Sequence, residues 1–336
     1  MSAPKMLLPV EYVRDATKAI EHAKKRVVFL AMVAFEDEES TSLINAMVEA
    51  AKRGVKVEVA ADILTYTESA GTTFPIRYFD KKSSRATNTR RKLLKSGAKF
   101  HWLGRSHMTL YSGRTHSKWC VVDDTVYTFG GVNLFHGGVT NNDYMFKFTN
   151  QKIADAIDKE HQRYKQADRR EIAYRSHALP TEFGTVLFDG GLVGESIIYR
   201  RATALAQLAQ RITLVSQYSP TGKLARALRD KNKQVELYFN PPQNATLLNR
   251  ALIQFGMWTS HVSTLYQKRQ YLHAKFIIFE MLDGSKVAIT GSHNFNHTGV
   301  VFGTREIALE TKDPAIITQL EQFFQEHVLA RPGTHE

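Results

Sequence analysis

One pattern occurs twice in this chain, and nothing else in it limits the fold so strongly. The first copy reads His116-Ser117-Lys118, four residues, Asp123, and then Gly130-Gly131-Val132-Asn133. The second reads His273-Ala274-Lys275, four residues, Glu280, and then Gly291-Ser292-His293-Asn294. In each, the histidine and lysine lead into an apolar run (WCVV, FIIF), a turn, and a returning run (VYTF, VAIT) that ends in the glycine pair or Gly-Ser. That order predicts a β-hairpin whose first strand presents His and Lys two residues apart, on one face. The end of the returning strand then brings an asparagine beside an imidazole and an ammonium. A lone His-x-Lys arises by chance in most proteins; two copies with matching flanks and tails do not.

The remainder of the chain repeats around these copies. Residues 13–25 have helical spacing, 26–36 form a near-continuous apolar run of strand length, 41–53 read as an amphipathic helix stopped by Gly54, and 55–62 alternate as a strand. This is a β-α-β unit, for which right-handed parallel pairing is expected. Residues 64–91, rich in Thr, Ser and charge, break the rhythm and read as a long loop. Its basic half (Lys81, Lys82, Arg85, Arg90, Arg91, Lys92) is either a phosphate-binding stretch or a solvated lead into a helix at 91–96. A strand at 98–103, the first hairpin and a helix at 153–166 complete the half. After a polar, Pro- and Gly-containing connector the order recurs: 202–209 and 211–218 answer the first helix and strand, 223–230 and 234–240 the second pair, and 247–255 the helix at 91–96. A helix at 316–328 closes the chain. The domains expected are thus 1–170 and 196–336, joined by a connector at 171–195. A duplication of this length is no solenoid.

Composition narrows the surroundings. The formal net charge is +12, with a pI near 9.6, which favours anionic partners: a phospholipid or membrane surface, or nucleic acid. A single cysteine excludes a disulfide framework and any CxxC zinc site. Cys120 reads as a small buried hydrophobe rather than a reactive thiol. No apolar run has bilayer length, and MLLPV near the start is too short for a signal-peptide core. A cytoplasmic protein is expected, soluble or peripheral on the inner face of the membrane, without a transmembrane segment.

The motif pair resembles the phospholipase D superfamily, whose mark is HxKxxxxD followed by G(S/G)xN. The second copy departs from it by Glu280 in place of Asp and by a hairpin turn, 281–286, longer by four residues. The two-copy layout and the tail SHNFNHTG resemble bacterial cardiolipin synthases and related phosphatidyltransferases. The resemblance implies an α/β fold: two similar α-β-α sandwich domains related by a pseudo-twofold, with the active site between them. It implies His116 as nucleophile and His273 as general acid and base, an order that the residues themselves leave open. Lys118 and Lys275 would supply fixed positive charge, Asn133 and Asn294 hydrogen bonds, and Gly130, Gly131, Gly291 and Ser292 the phosphate surround. No metal or cofactor is expected.

An attacking imidazole needs its second nitrogen held by a carboxylate. Asp143 and Glu306, downstream of the two asparagines and each ahead of an apolar strand, are the expected orienting acids. Asp123 and Glu280 are expected to be structural, at the hairpin turns. His293 and His297 follow the second tail closely and are candidates to line the cleft. His22, His101, His107, His136 and His261 read as structural or exposed, and Trp102, Trp119 and Trp258 as core. Phosphodiester transfer or hydrolysis on phospholipids leads; a nuclease using the same site is the alternative, and a non-catalytic binding module the third reading.

Overall fold

The computed structural model describes residues 4–70, 84–104, 113–170, 172–231 and 234–329. The chain divides into two compact units: Met1–Thr140 with Tyr144–Tyr174, and Asn141–Asp143 with Arg175–Glu336. The division therefore cuts through the chain at three residues well inside the first half.

In the first unit, β1 (Lys5–Leu7) precedes α1 (Pro9–Glu21), which begins earlier than the apolar spacing suggests. Pro9 opens that helix, where its missing N–H is not needed, and the Glu11 carboxylate accepts from the Leu8 N–H at 3.0 Å. Tyr12, Val13, Ala16 and Ile20 form its buried stripe. Next come β2 (Arg26–Ala31), α2 (Thr41–Lys52) and β3 (Lys56–Asp62), with β2 and β3 parallel as expected. The apolar run extends to residue 36, but the strand ends at Ala31, since the chain then leaves the ladder to meet Asn133 and Leu134.

The span 64–91 holds more structure than its composition predicts. It begins as α3 (Leu64–Ser69), and α4 (Ser84–Lys95) covers its far end. The polar residues of α4 lie on its exposed side, and a thin stripe of Ala86, Thr89 and Leu93 is buried. Lys81 and Lys82 lie outside the described residues. The unit closes with β4 (Lys99–Leu103), β5 (Trp119–Val122), β6 (Thr125–Thr128), α5 (His136–Thr140), β7 (Met145–Thr149) and α6 (Gln151–Arg170). The sheet order is β1-β7-β6-β5-β2-β3-β4. Val27, Phe29 and Ala31 of β2 join the core under α1 and α2, while α6 packs on β2, β4, β5 and β6. A strand covered on both faces has no reason to alternate, which explains its continuous apolar sequence.

The second unit takes in residues that read as a connector. Within 171–195 lie β8 (His177–Thr181) and β9 (Gly184–Gly190), a hairpin too short to announce itself, and β9 pairs antiparallel along β14 (Arg305–Thr311). Then follow α7 (Ile197–Leu208), β10 (Arg211–Val215), α8 (Gly222–Lys231), β11 (Val235–Tyr238), α9 (Leu247–Ser260), β12 (Phe276–Glu280), β13 (Lys286–Gly291) and α10 (His297–Val301). After β14 come α11 (Pro314–Phe323) and a π turn, Phe324–Val328. The sheet order is β11-β10-β12-β13-β14-β9-β8. From its second strand on, the first sheet reversed (β3-β2-β5-β6-β7-β1) matches this sequence strand for strand through β9. The two units are thus α/β folds of one plan.

Candidate active site

The two hairpins form where the motifs place them, β5–β6 and β12–β13, but the His-x-Lys segments are not in the ladders. Both lie just ahead of β5 and β12, outside regular secondary structure. In each copy one backbone carbonyl of the segment is met by a side chain of the segment itself. The Lys118 Nζ donates to the His116 carbonyl at 2.6 Å, and the Lys275 Nζ makes the same bond to the His273 carbonyl. Each lysine so reaches back over its own histidine backbone, and His116, Lys118, His273 and Lys275 are all buried.

A polar frame holds the first motif. The Asp62 carboxylate accepts from the Arg114 guanidinium and from the Thr115 N–H, each at 3.0 Å, and the Ser117 hydroxyl meets the Tyr164 hydroxyl at 2.7 Å. Nothing in the sequence singles out Asp62, except that it ends an apolar strand in an acid. Asn133 has its Oδ1 tied to the Val33 N–H at 3.1 Å. Asp123 takes a left-handed turn at the hairpin, φ 55°, and its carboxylate accepts from the N–H groups of Lys24, Lys25 and Arg26. It is a turn residue, whereas Glu280 is the last strand residue of β12, paired with Lys286 just before the turn. Burial pushes the Cys120 thiol up to about 12, which fits its reading as an inert core residue.

In the second motif the His273 Nδ1 lies 2.7 Å from the Asp143 carboxylate, both buried. Asp143 belongs to the tail of the first sequence copy, yet it serves the histidine of the second. The backbone of residues 141–143 is pinned there: the Asn142 N–H donates to the Tyr271 carbonyl at 2.9 Å, and the Asn142 carbonyl accepts from the His273 and Ala274 N–H groups. The pairing of acid with histidine could not be read from spacing, because 130 residues separate them. Glu306 accepts from the Ser292 hydroxyl, which in turn accepts from the Ile307 N–H at 3.0 Å. The Asn294 carbonyl accepts from Ser216, while its Oδ1 is buried and accepts no hydrogen bond among the described residues.

Asp189, which sequence reasoning did not single out, lies directly across the ladder from Glu306. It caps α7 through Ser196 and the Ile197 N–H. Burial first, and then the nearby Glu306 charge, push it up to about 7 against these hydrogen bonds. Burial likewise drives the Lys275 ammonium down to about 8, with Asp143 and Glu306 pulling the other way. His293 is buried, its Nδ1 accepting from the Phe295 N–H at 2.8 Å, and it shapes the turn after Ser292. His107 falls outside the described residues. Trp102 and Trp119 are core residues; Trp258 is not, being 72% exposed on α9.

The fold of each unit and the motifs it carries define a class, the phospholipase D-like α/β domain used twice. A family described as "Cardiolipin synthase, PLD-like domain" matches residues 16–165 and again 202–328. The chain belongs to this family, within the phospholipase D superfamily of phosphatidyltransferases and phosphodiesterases. It is 26% identical over 156 residues to cardiolipin synthase B of Salmonella typhimurium, and equally to that of Salmonella typhi. Those alignments cover 42% of this chain and 33% of each relative, so the match spans about a third of their length. Among solved structures, the phosphatidylserine synthase of Haemophilus influenzae Rd KW20 shares the fold at a TM-score of 0.71 and 16% identity, over 97% of this chain and 87% of that one. Polyphosphate kinase from Porphyromonas gingivalis does so at 0.60 and 12% identity, over 95% of this chain and 46% of the other. No helix of the described residues is long and apolar enough to cross a membrane.

Proposed function

We propose that this chain transfers or hydrolyses phospholipid phosphodiesters through a covalent phosphohistidine. The observation that carries the reading is the buried His273–Asp143 pair with Lys275 two residues on. An Nδ1–H donated to a carboxylate makes Nε2 the atom for proton or phosphoryl transfer and stabilises the charge that develops on the ring. In the displacement, the His116 imidazole attacks phosphorus, the P–N bond forms and the P–O bond to the first alcohol breaks. His273, as imidazolium, gives its Nε2 proton to the leaving oxygen. An incoming alcohol or water then passes its proton back to His273 as its oxygen attacks phosphorus, and the P–N bond breaks. Lys118 and Lys275 offset charge on the equatorial oxygens, and Asn133 and Asn294 donate to them. Glu306 is the second orienting acid, and Gly130, Gly131, Gly291 and Ser292 surround the phosphate.

A lipid substrate is supported by the family's description, by the phospholipid synthases among the similar proteins, and by a +12 chain suited to an anionic membrane surface. The enzyme would act peripherally, at the cytoplasmic face. The test is turnover by purified protein on phosphatidylglycerol vesicles beside single-stranded and duplex DNA, with EDTA throughout and His116→Ala/His273→Ala as blank. Cardiolipin or phosphatidic acid made only by the wild type is the expected result. DNA cut by the wild type alone, with lipid untouched, would move the chain to the nuclease class. Acid quenching during turnover is expected to trap the adduct on His116; an adduct on His273 would reverse the two roles.

A further inference from the structure

We infer that α9 is an interfacial helix, by which the second unit lies on an anionic lipid surface. The helix buries Ile253 and Gly256 and turns Leu252, Phe255 and Trp258 outward, at steps of three residues on one face. Phe255 is 61% and Trp258 72% exposed, with ring centroids 6.2 Å apart, and Leu265 is half exposed just beyond the helix end. A contiguous outward set of Leu, Phe and Trp is unlike the scattered single apolar residues of an ordinary surface. Indole and phenyl rings beside a polar rim are the side chains that settle at the headgroup level of a bilayer.

Charge identifies the occupant. No Asp or Glu occurs between Glu236 and Glu280, a span that contains all of α9 and the approach to His273, whereas Arg250, Lys268 and Arg269 lie within it. The neighbouring α8 packs beside α9 and exposes Lys223, Arg226 and Arg229, again at steps of three. Arg229 also donates to the Ser260 carbonyl at the end of α9, at 3.2 Å, which fixes one cation at the rim of the apolar face. An acid-free apolar helix flanked by a basic ridge fits a surface that is apolar within and anionic at its headgroups. Its counterpart in the first unit, α4, exposes arginines and lysines instead of aromatic rings, so the feature does not follow from the shared fold.

This inference rests on the phospholipid reading for the nature of the surface, and binding is measured apart from turnover. The protein is sedimented with vesicles of phosphatidylcholine alone and of phosphatidylcholine with an equal share of phosphatidylglycerol. Binding to the anionic vesicles is expected, weakening steeply with salt. Leu252→Ser/Phe255→Ser/Trp258→Ser is expected to weaken it at least tenfold, while activity on a water-soluble phosphodiester stays within twofold of wild type. Dibrominated phosphatidylcholine in the vesicles is expected to quench wild-type tryptophan fluorescence, as Trp102 and Trp119 are buried. Trp258→Phe should abolish the quenching and keep the binding; this arm holds even where the triple variant folds poorly. Unquenched fluorescence, undiminished binding by the triple variant, or a dimer in light scattering that this variant dissolves would each overturn the inference. Lipid turnover in detergent micelles without vesicle binding would overturn it and leave the proposed activity standing. Vesicle binding without any lipid turnover would do the opposite.

Discussion

At the scale of single residues, the second motif depends on charge kept in a place that disfavours it. Lys275 is fully buried, and burial lowers its ammonium to about 8 from an ordinary value near 10.5. Between those values the unfolded chain still holds a proton that the folded chain has released. The burial penalty is therefore complete below pH 8 and is relieved as pH rises through this window, so the group's contribution to stability increases there. On the proposed mechanism turnover runs the other way, since a neutral amine would no longer offset phosphorane charge. We expect turnover to fall as pH passes about 8, with no accompanying loss of melting temperature; a rate constant flat to pH 10 would remove Lys275 from the charge-stabilising role. Asp143 is a different kind of residue, because its carboxylate meets the ring of His273 and, on the proposed mechanism, would act through it. Asp143→Asn keeps the shape and permits the wrong tautomer. It should lower kcat by roughly 10³- to 10⁴-fold with KM little changed. A drop confined to KM would make Asp143 a binding group.

At the scale of elements, the motif glycines have a packing reason that is independent of the phosphate-site role proposed for them. A Cβ on Gly130 would stand 1.7 Å from the Tyr144 carbonyl oxygen, and one on Gly291 2.3 Å from that of Ile307. In each unit the end of the returning strand is pressed against the backbone of the next one, which no rotamer change relieves. Gly291→Ala should cost about 2–3 kcal/mol, and Gly130→Ala at least as much. Urea unfolding measures this, and a cost below about 0.5 kcal/mol at both positions would show that the strands part freely. The glycines were legible in sequence because sterics allow one residue type there, just as proton and phosphoryl chemistry allows few types at His116, Lys118, His273 and Lys275. Elements set by tertiary context were harder to read. The pairing of β9 with β14 made strands of a stretch that looked like a connector, and a thin buried stripe made a helix of polar residues 84–95. The pattern of α9 showed an apolar helix but not that Trp258 faces outward, since periodicity locates a face and not what covers it.

At the scale of the whole molecule, the duplication did not leave two self-sufficient segments. The second unit is residues 175–336 together with the tripeptide 141–143, which the first half of the chain supplies. That tripeptide brings the Asn142 backbone bonds to Tyr271, His273 and Ala274, a side-chain bond from Asn142 to the His327 carbonyl at 2.6 Å, and the Asp143 carboxylate itself. A sequence repeat locates boundaries by similarity, and similarity cannot report a strap of three residues held by the other copy's fold. The consequence is testable on an excised chain. Fragment 175–336 has a complete hydrophobic cluster and its own sheet, but it leaves the His273 and Ala274 N–H groups without their acceptor and His273 without its acid. With each lost bond worth about 0.5–1.5 kcal/mol, the fragment should be some 2–4 kcal/mol less stable than the same residues in the full chain. Hydrogen exchange at residues 273–274 reads that difference directly, and ring ¹⁵N shifts should show both tautomers of His273 in the fragment and one in the full chain. Equal protection in the two, with a single tautomer in each, would mean that the second copy positions its own histidine. The strap would then be incidental to the chemistry, and the two halves separable after all.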